Sequence, residues 1–240
     1  KLAATSPFGR VCVPEDVALH YAPEFKDPDG FFATWRVMLS VIAYNKTLVK
    51  PEDAPKSFKD LLDPKWTGKM VKAHPGYSGT IMTATHQMSR DLGWGYFEQL
   101  AKQKILQVQS AADPPKKLAL GERAIMIDGG DYVVSLQIDK GAPLEIVYPA
   151  EGTPLITGPS AIMKRAPNPN AAKLFHCWAF TPEAQALSVK IGALRSAHKL
   201  VKDRPGRRPL SEIKLMKENA AEVEKLADSI KKKYASLFKV

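Results

Sequence analysis

The sequence predicts an α/β fold with parallel strands, because strand patterns alternate with helix patterns along most of its 240 residues. Two strand-to-helix junctions carry this prediction. The apolar stretch Lys69–Ala73 is followed by Ser78, a residue type that caps helices, and then by a helix pattern through about Arg90. The buried-strand pattern Arg123–Asp128 is followed by Gly129-Gly130 and a second helix pattern. Such alternation is typical of a parallel sheet covered by helices.

The remaining elements follow from composition and from Pro and Gly at the element ends. Strands are predicted at Phe32–Tyr44, Ile105–Gln109, Leu144–Tyr148 and Ser160–Lys164. Helices are predicted at Trp94–Lys104 and Pro114–Leu120, and over about 131–140, 169–180 and 182–192. The stretch Glu151–Pro159 is rich in Gly, Pro and Thr and is predicted to be a link. A last amphipathic helix is predicted after the loop Asp203–Pro209, with an apolar stripe from Ile213 to Leu237.

Composition and charge limit the functions that the chain can have. Hydrophobic residues make up 45% of the chain, yet no apolar run approaches the ~20 residues that span a bilayer. The formal net charge is +10, and residues 196–240 hold 12 Lys and Arg against 6 Asp and Glu. Because this excess is not gathered around an aromatic-rich motif, we do not expect nucleic acid as a partner. A positive field does raise the local concentration of an anionic small molecule.

The cysteines do not indicate a metal site. Cys12 and Cys177 lie far apart in the sequence, and neither belongs to a zinc-ligand spacing. They can pair only if the fold brings their Cα atoms within about 7 Å. We therefore expect two small buried side chains rather than a disulfide.

The strongest local motif is His74-Pro75-Gly76-Tyr77-Ser78-Gly79-Thr80, between a predicted strand and a predicted helix. Backbone N–H groups at a helix start, together with the Ser78 and Thr80 hydroxyls, suit an anionic group. Gly79 allows a ligand to approach the backbone closely. An ordinary N-cap explains the same residues equally well.

Two further segments are candidate ligand contacts. In Asp128-Gly129-Gly130-Asp131-Tyr132 the glycines permit close approach, so that Asp131 and Tyr132 can point toward a ligand; simple capping of the helix competes with this interpretation. Arg36 lies in an otherwise apolar strand, where a charge is costly unless it is paired. It can bind a carboxylate or phosphate, or pair with an internal acidic residue.

No enzymatic motif is present. The sequence has no Gly-x-Ser-x-Gly elbow, no His-Glu-x-x-His and no dinucleotide fingerprint. The histidines are scattered, and the adjacent His176 and Cys177 point in different directions on a helix. These observations indicate that the chain is not an enzyme.

Several segments together resemble one family of bacterial proteins. They are Ala43–Lys46, Pro55–Lys69, Ser78-Gly79-Thr80, Gly121–Ala124, Asn170–Phe175 and Thr181–Gln185. In this order they resemble the extracellular solute-binding proteins of ABC importers. They are most similar to the type II periplasmic binding proteins grouped with ferric-iron, polyamine and phosphosugar binders.

The resemblance implies a two-lobed type II periplasmic binding protein fold with a solute held between the lobes. Residues 1–44 and 155–240 are expected to form a discontinuous first lobe, and residues 45–154 the second lobe. The crossing strands are expected at Val37–Tyr44 and Leu155–Met163. The resemblance also implies that the N-terminal part of the first lobe and a signal peptide are not in this chain.

The resemblance also implies site residues. Ser78, Gly79 and Thr80 match the ligand-binding helix start of the family, and Asp131 and Tyr132 lie where the ferric-iron binders place adjacent tyrosines. Here Tyr132 is followed by Val133 and Val134, so the tyrosine pair that would coordinate ferric iron is missing. Glu151 and Thr153 lie near the second crossing strand and are expected to complete the cleft. Asp131 or Glu151 can alternatively hold an amine.

The expected function is therefore capture of a small anionic solute, phosphorylated or carboxylated, in the periplasm. The resemblance implies a monomer without catalytic residues, cofactor or metal, which delivers its solute to an ABC permease in the inner membrane. The alternatives are ferric-iron or polyamine binding on the same fold, and an enzyme or a regulator's effector domain on that fold.

Overall fold

The computed structural model describes residues 8–9 and 13–240 of the chain. Its strands are β1 (Phe8–Gly9), β2 (Phe32–Leu39), β3 (Ile42–Asn45), β4 (Met70–Ala73), β5 (Leu106–Val108), β6 (Ile125–Met126), β7 (Leu144–Val147), β8 (Thr153–Met163) and β9 (Leu215–Met216). Its helices are α1 (Glu15–Ala18), α2 (Gly79–Asp91), α3 (Trp94–Ala101), α4 (Asp113–Ala119), α5 (Asp131–Asp139), α6 (Pro169–Ala179), α7 (Pro182–Gly192) and α8 (Ala220–Phe238).

The chain divides into two compact units. The first unit comprises residues 1–38 and 157–207, and the second comprises residues 39–156 and 208–240. The chain thus passes from one unit to the other inside β2, inside β8 and again after residue 207. The lobes expected from the sequence differ from these units mainly in residues 208–240, which the sequence places in the first lobe. These residues join the second unit because α8 packs on α2 and α3.

The second unit contains a five-stranded sheet in the order β5-β4-β6-β3-β7. β4 is parallel to β5 and β6, whereas β3 is antiparallel to both β6 and β7. The expectation of a parallel sheet is therefore wrong for β3. The sheet is therefore mixed, with β3 running against both of its neighbours.

The other sheet has the order β1-β8-β2, with β9 paired to the start of β8. β8 begins at Thr153, so most of the predicted link Glu151–Pro159 is strand. The reason is backbone pairing on both sides: the Thr153 N–H donates to the Lys214 carbonyl at 2.8 Å, and the Pro154 carbonyl accepts from the Ser40 N–H at 2.9 Å.

Most predicted helices are confirmed close to their expected ends. Ser78 caps α2 and Thr181 caps α7, each by accepting an N–H bond from the third residue after it. The final helix starts later than predicted, at Ala220, because Asn219 supplies its N-cap; Met216 belongs to β9 instead. Cys177 in α6 is disulfide-bonded, so the expectation of a small buried thiol is wrong for this residue. The chain's other cysteine, Cys12, lies outside the described residues.

Candidate functional site

Two helices begin at the same edge of the five-stranded sheet. β4 and β6 are parallel neighbours, with Met70 opposite Ile125 and Val71 opposite Met126. The chain leaves the carboxyl end of β4 to enter α2, and it leaves the carboxyl end of β6 to enter α5. The amino ends of both helices therefore lie at one edge, which is where open α/β sheets bind ligands. Because first-turn N–H groups have no acceptor within the helix, this edge favours a negatively charged ligand.

The start of α2 is open. Ser78 is half-buried, and its Oγ accepts from the Ile81 N–H at 3.4 Å, which is long for a hydrogen bond. Among the described residues, no heavy atom lies within 4 Å of a Cβ built on Gly79, and Thr80 is only half-buried. The predicted residues Ser78, Gly79 and Thr80 thus present N–H groups and hydroxyls with room for a ligand.

The loop before α2 is shaped by His74. Its Nδ1 accepts from the Gly76 N–H at 2.9 Å, which closes a tight turn two residues before Ser78. Burial, and then the charge of Lys72, lower the pKa of His74, so the ring is neutral at pH 7. Its neighbour Tyr77 is 69% exposed and lies beside it, with the ring centroids 5.2 Å apart. Sequence reasoning placed His74 in the motif without giving it this role.

At the start of α5, Asp131 and Tyr132 differ in their surroundings. Asp131 is fully buried, and its Oδ1 accepts from the Leu39 N–H at 3.2 Å. This bond ties α5 to the end of β2. Tyr132 is half-buried, and its ring lies over Gly130, where an added Cβ would stand 2.6 Å from Cε1. Gly130 is therefore required for the observed position of the Tyr132 ring.

Glu151 is engaged elsewhere in the second unit. Its two carboxylate oxygens accept from the N–H groups of Phe58 and Lys59, both at 3.0 Å. These groups open the 3₁₀ turn Lys59–Leu62, whose first N–H groups need acceptors. The geometry gives Glu151 a capping role on this turn.

Thr153 is the first residue of β8 and lies opposite Leu215 of β9. Its side chain is fully buried, and its Oγ1 has no hydrogen-bond partner among the described residues. Ser40, which sequence reasoning missed, is also fully buried, and its Oγ is unpaired in the described part of the chain. Ser40 forms a bridge to Gly130 and bonds to Pro154, so Asp131 and Thr153 both adjoin the short segment Leu39–Ser40.

Arg36 belongs to the first unit. Its stem lies against Gly158, where a Cβ would stand 2.5 Å from Arg36 Cγ, and its guanidinium lies over the Trp35 ring at 5.4 Å. The Arg36 Nε is buried and unpaired among the described residues. Gly158 and Trp35 are therefore two neighbours that contact the Arg36 side chain.

Sequence reasoning also missed a buried ion pair below the two helix starts. Lys72 in β4 and Asp128 after β6 are both fully buried, with Nζ and Oδ2 2.6 Å apart. Burial lowers the pKa of Lys72 and raises that of Asp128, while their mutual attraction opposes both shifts. The signal available in the sequence was a lysine inside the apolar strand Met70–Ala73.

Neither a metal cluster nor a membrane span is found in the part of the chain that the structure describes. Within these residues there is no group of three or more His, Cys, Asp or Glu placed to hold a metal ion. No helix there is both long and apolar enough to cross a bilayer.

Residues 11–210 match the family of bacterial extracellular solute-binding proteins, and the chain belongs to this family. A curated relative is an uncharacterized protein of Haemophilus influenzae, 34% identical over 145 residues. That match covers 59% of this chain and 42% of the relative, so it spans less than half of the relative's length.

Solved structures of periplasmic binding proteins share the type II fold. The binding protein AfuA of Actinobacillus pleuropneumoniae, with fructose 6-phosphate bound, has a TM-score of 0.87 at 25% identity. That alignment covers 100% of this chain and 79% of AfuA. Iron-bound HitA of Pseudomonas aeruginosa has a TM-score of 0.79 at 20% identity, over 97% of this chain and 78% of HitA. The predicted fold class is thereby confirmed.

Proposed function

We propose that this chain is the substrate-binding component of an ABC importer and that it captures a small anionic solute, a phosphorylated or carboxylated compound, for delivery to a membrane permease. The observation that carries the proposal is the meeting of the α2 and α5 starts at one edge of the sheet. Ser78, Gly79, Thr80 and Tyr132 are the proposed contacts and all lie in the second unit. Arg36, in the first unit, stays a candidate contact predicted from the sequence.

The charges support an anion over a cation. First-turn N–H groups of two helices face one edge, and a carboxylate or phosphate is the group they favour. The net charge of +10 acts in the same direction. AfuA, whose structure holds fructose 6-phosphate, is similar over the whole of this chain, which makes a phosphosugar the first compound to test.

Ferric iron is a second candidate, because HitA and a Trichodesmium FutA, solved with iron and citrate, share the fold. Both are 20% identical or less, so their likeness supports the fold alone. The valines that follow Tyr132 leave one phenol at the position where two are needed.

The test is calorimetric titration and thermal shift with fructose 6-phosphate, inorganic phosphate, citrate, ferric citrate and spermidine, with fructose as the uncharged control. At a hundredfold excess over the dissociation constant, a bound solute stabilises the fold by about 2.7 kcal/mol. Binding of a phosphate or carboxylate compound, but not of fructose, is the expected result. Binding of spermidine alone, or of ferric ion without its anion, would contradict it.

Ser78→Ala is the decisive variant, with Thr181→Ala as its matched control. Both residues cap a helix, so each loss destabilises the protein by about 0.5–2 kcal/mol. Only Ser78 lies at the proposed site. Ser78→Ala should weaken binding roughly tenfold or more, since a hydrogen bond to a charged group contributes about 1.5–3 kcal/mol. Equal affinities in the two variants would remove Ser78 from the site.

The proposed location is the periplasm. The family is extracellular, and Cys177 forms a disulfide, a bond that persists in oxidising compartments and is rare in the cytosol. Fractionation of the native host, with antibody against this chain, tests the location. Recovery in the cytosolic fraction would contradict it.

A further inference from the structure

The ion pair between Lys72 and Asp128 calls for an explanation beyond stability. Both side chains are fully buried, and the Nζ–Oδ2 distance is 2.6 Å. Removing two charges from water costs about as much as their attraction returns, and apolar replacements are often neutral or stabilising. The ion pair is therefore a candidate for fixing the relative positions of the two segments that it joins.

The pair joins the ends of the two strands from which the proposed site emerges. Lys72 is the last residue but one of β4, just before the loop to Ser78, and its Nζ also donates to the Ala73 carbonyl at 3.1 Å. Asp128 directly precedes Gly129-Gly130 and the start of α5. The ion pair therefore links the segments that lead into α2 and α5.

The C-terminal helix covers this pair through Tyr234. Its ring is fully buried, with the Lys72 Nζ 5.1 Å from the ring centroid. The His74 ring meets it edge-on at 5.0 Å, and the Tyr234 hydroxyl donates to Gln107 Oε1 in β5 at 2.9 Å. One aromatic ring of α8 thus contacts both the ion pair and the histidine that shapes the loop before Ser78.

We propose that Lys72, Asp128 and Tyr234 are positioning residues that set the affinity of the solute site by fixing the segments 74–80 and 128–131 relative to each other. They act through His74 and the Gly129-Gly130 turn and do not contact the solute. This inference rests on the proposed function for its affinity readout. It adds a role for the C-terminal helix, which lies outside the segments resembling the family.

The main test replaces the pair by apolar residues of similar size, Lys72→Met with Asp128→Leu, so that no charge is left buried alone. Fructose 6-phosphate is the probe, measured by calorimetry, and hydrogen exchange of the backbone amides is the second readout. We expect affinity to fall about tenfold, within the range of couplings between sites. Exchange should speed up in 74–80 and 128–131 while the amides of β3 and β7 stay protected.

Leu61→Ala is the control for lost stability. Leu61 is fully buried in the same core but lies in a 3₁₀ turn away from both segments. It should lower the melting temperature and leave affinity unchanged. If affinity falls as much in Leu61→Ala as in the double variant, the effect is general destabilisation and the proposal is overturned.

Tyr234 provides a second test should the double variant not fold. Tyr234→Leu removes the ring from Lys72 and His74 and should weaken binding, whereas Tyr234→Phe keeps the ring and should restore wild-type affinity. Equal affinities for these two variants would overturn the role of the ring. If the wild-type protein binds neither fructose 6-phosphate nor phosphate, the proposed function fails for these solutes. Amide exchange alone then decides the positioning role, and unchanged exchange in both segments overturns it.

Discussion

The substitution Gly158→Ala, which adds one methyl group, tests the position of the Arg36 side chain. A Cβ at residue 158 would stand 2.5 Å from Arg36 Cγ, 2.7 Å from Nε and 3.1 Å from Cδ. The first of these atoms is near the backbone of Arg36, so the clash is not relieved by moving the guanidinium alone. Gly158 lies inside β8, where alanine fits the backbone without strain. Gly158→Ala therefore acts through Arg36.

The expected cost follows from overpacking, which typically destabilises a protein by about 1–3 kcal/mol. Arg36→Ala removes the three atoms that clash. In that background Gly158→Ala should be neutral or should stabilise by about 0.4–1 kcal/mol, because alanine restricts the unfolded chain. The coupling energy between the two substitutions is then about 1–3 kcal/mol, well above the ~0.5 kcal/mol within which independent sites add.

Urea unfolding of four proteins measures this coupling energy: the wild type, Gly158→Ala, Arg36→Ala and the double variant. Tryptophan fluorescence is a suitable probe because the Arg36 guanidinium lies 5.4 Å from the Trp35 ring centroid. Gly95→Ala is the control, since nothing in the described part of the chain lies within 4 Å of its added Cβ. Additive effects of the two substitutions would refute the contact. If Arg36 binds the solute, as the sequence predicts, Gly158→Ala also weakens binding of fructose 6-phosphate.

Three further predictions concern stability. Burial lowers the pKa of His74, His86 and His198 below the ordinary 6.5, so the unfolded chain binds more protons below that pH. This stabilisation is therefore fully present above pH 6.5 and is lost as the pH falls below that value; a melting temperature that stays constant between about pH 7 and 5.5 would contradict this. Reducing the Cys177 disulfide should lower the free energy of unfolding by about 2–4 kcal/mol. Unfolding with and without dithiothreitol, and of Cys177→Ser, measures this loss, and an unchanged midpoint would count against the bond. Glu151→Ala should lower the free energy of unfolding by about 1–3 kcal/mol, because it leaves two N–H groups of the 3₁₀ turn without their acceptor. Affinity for fructose 6-phosphate should stay the same. A loss of affinity would show that Glu151 belongs to the solute site.

Local signals in the sequence predicted the helix starts well. Ser78 and Thr181 precede their helices as side-chain caps, and Pro169 and Pro182 occupy first helical positions. These features depend on a few neighbouring residues, so they can be interpreted without knowing the rest of the fold. The segment resemblance added the type II fold, which the strand and helix alternation alone did not specify.

Long-range pairing was predicted less well. Residues 153–159 contain Gly and two Pro and read as a link, yet backbone bonds to Lys214 and Ser40 make their first part strand. The direction of β3 is set by its antiparallel partners β6 and β7, and no residue of β3 encodes this locally. The sequence also could not predict to which unit α8 belongs. Its apolar stripe shows that one face is buried but does not identify the helices that cover it.

The two carboxylates that could hold an amine, those of Asp131 and Glu151, are both engaged by the backbone. A polyamine site needs acidic side chains facing the ligand, and the sequence offered Asp131 and Glu151 for that role. Asp131 is buried and accepts from the Leu39 N–H, and Glu151 holds two N–H groups of a 3₁₀ turn. Both carboxylates therefore accept from backbone N–H groups of the protein itself. A cation would meet the positive ends of two helices at the sheet edge, which supports the proposal of a phosphate or carboxylate solute over an amine.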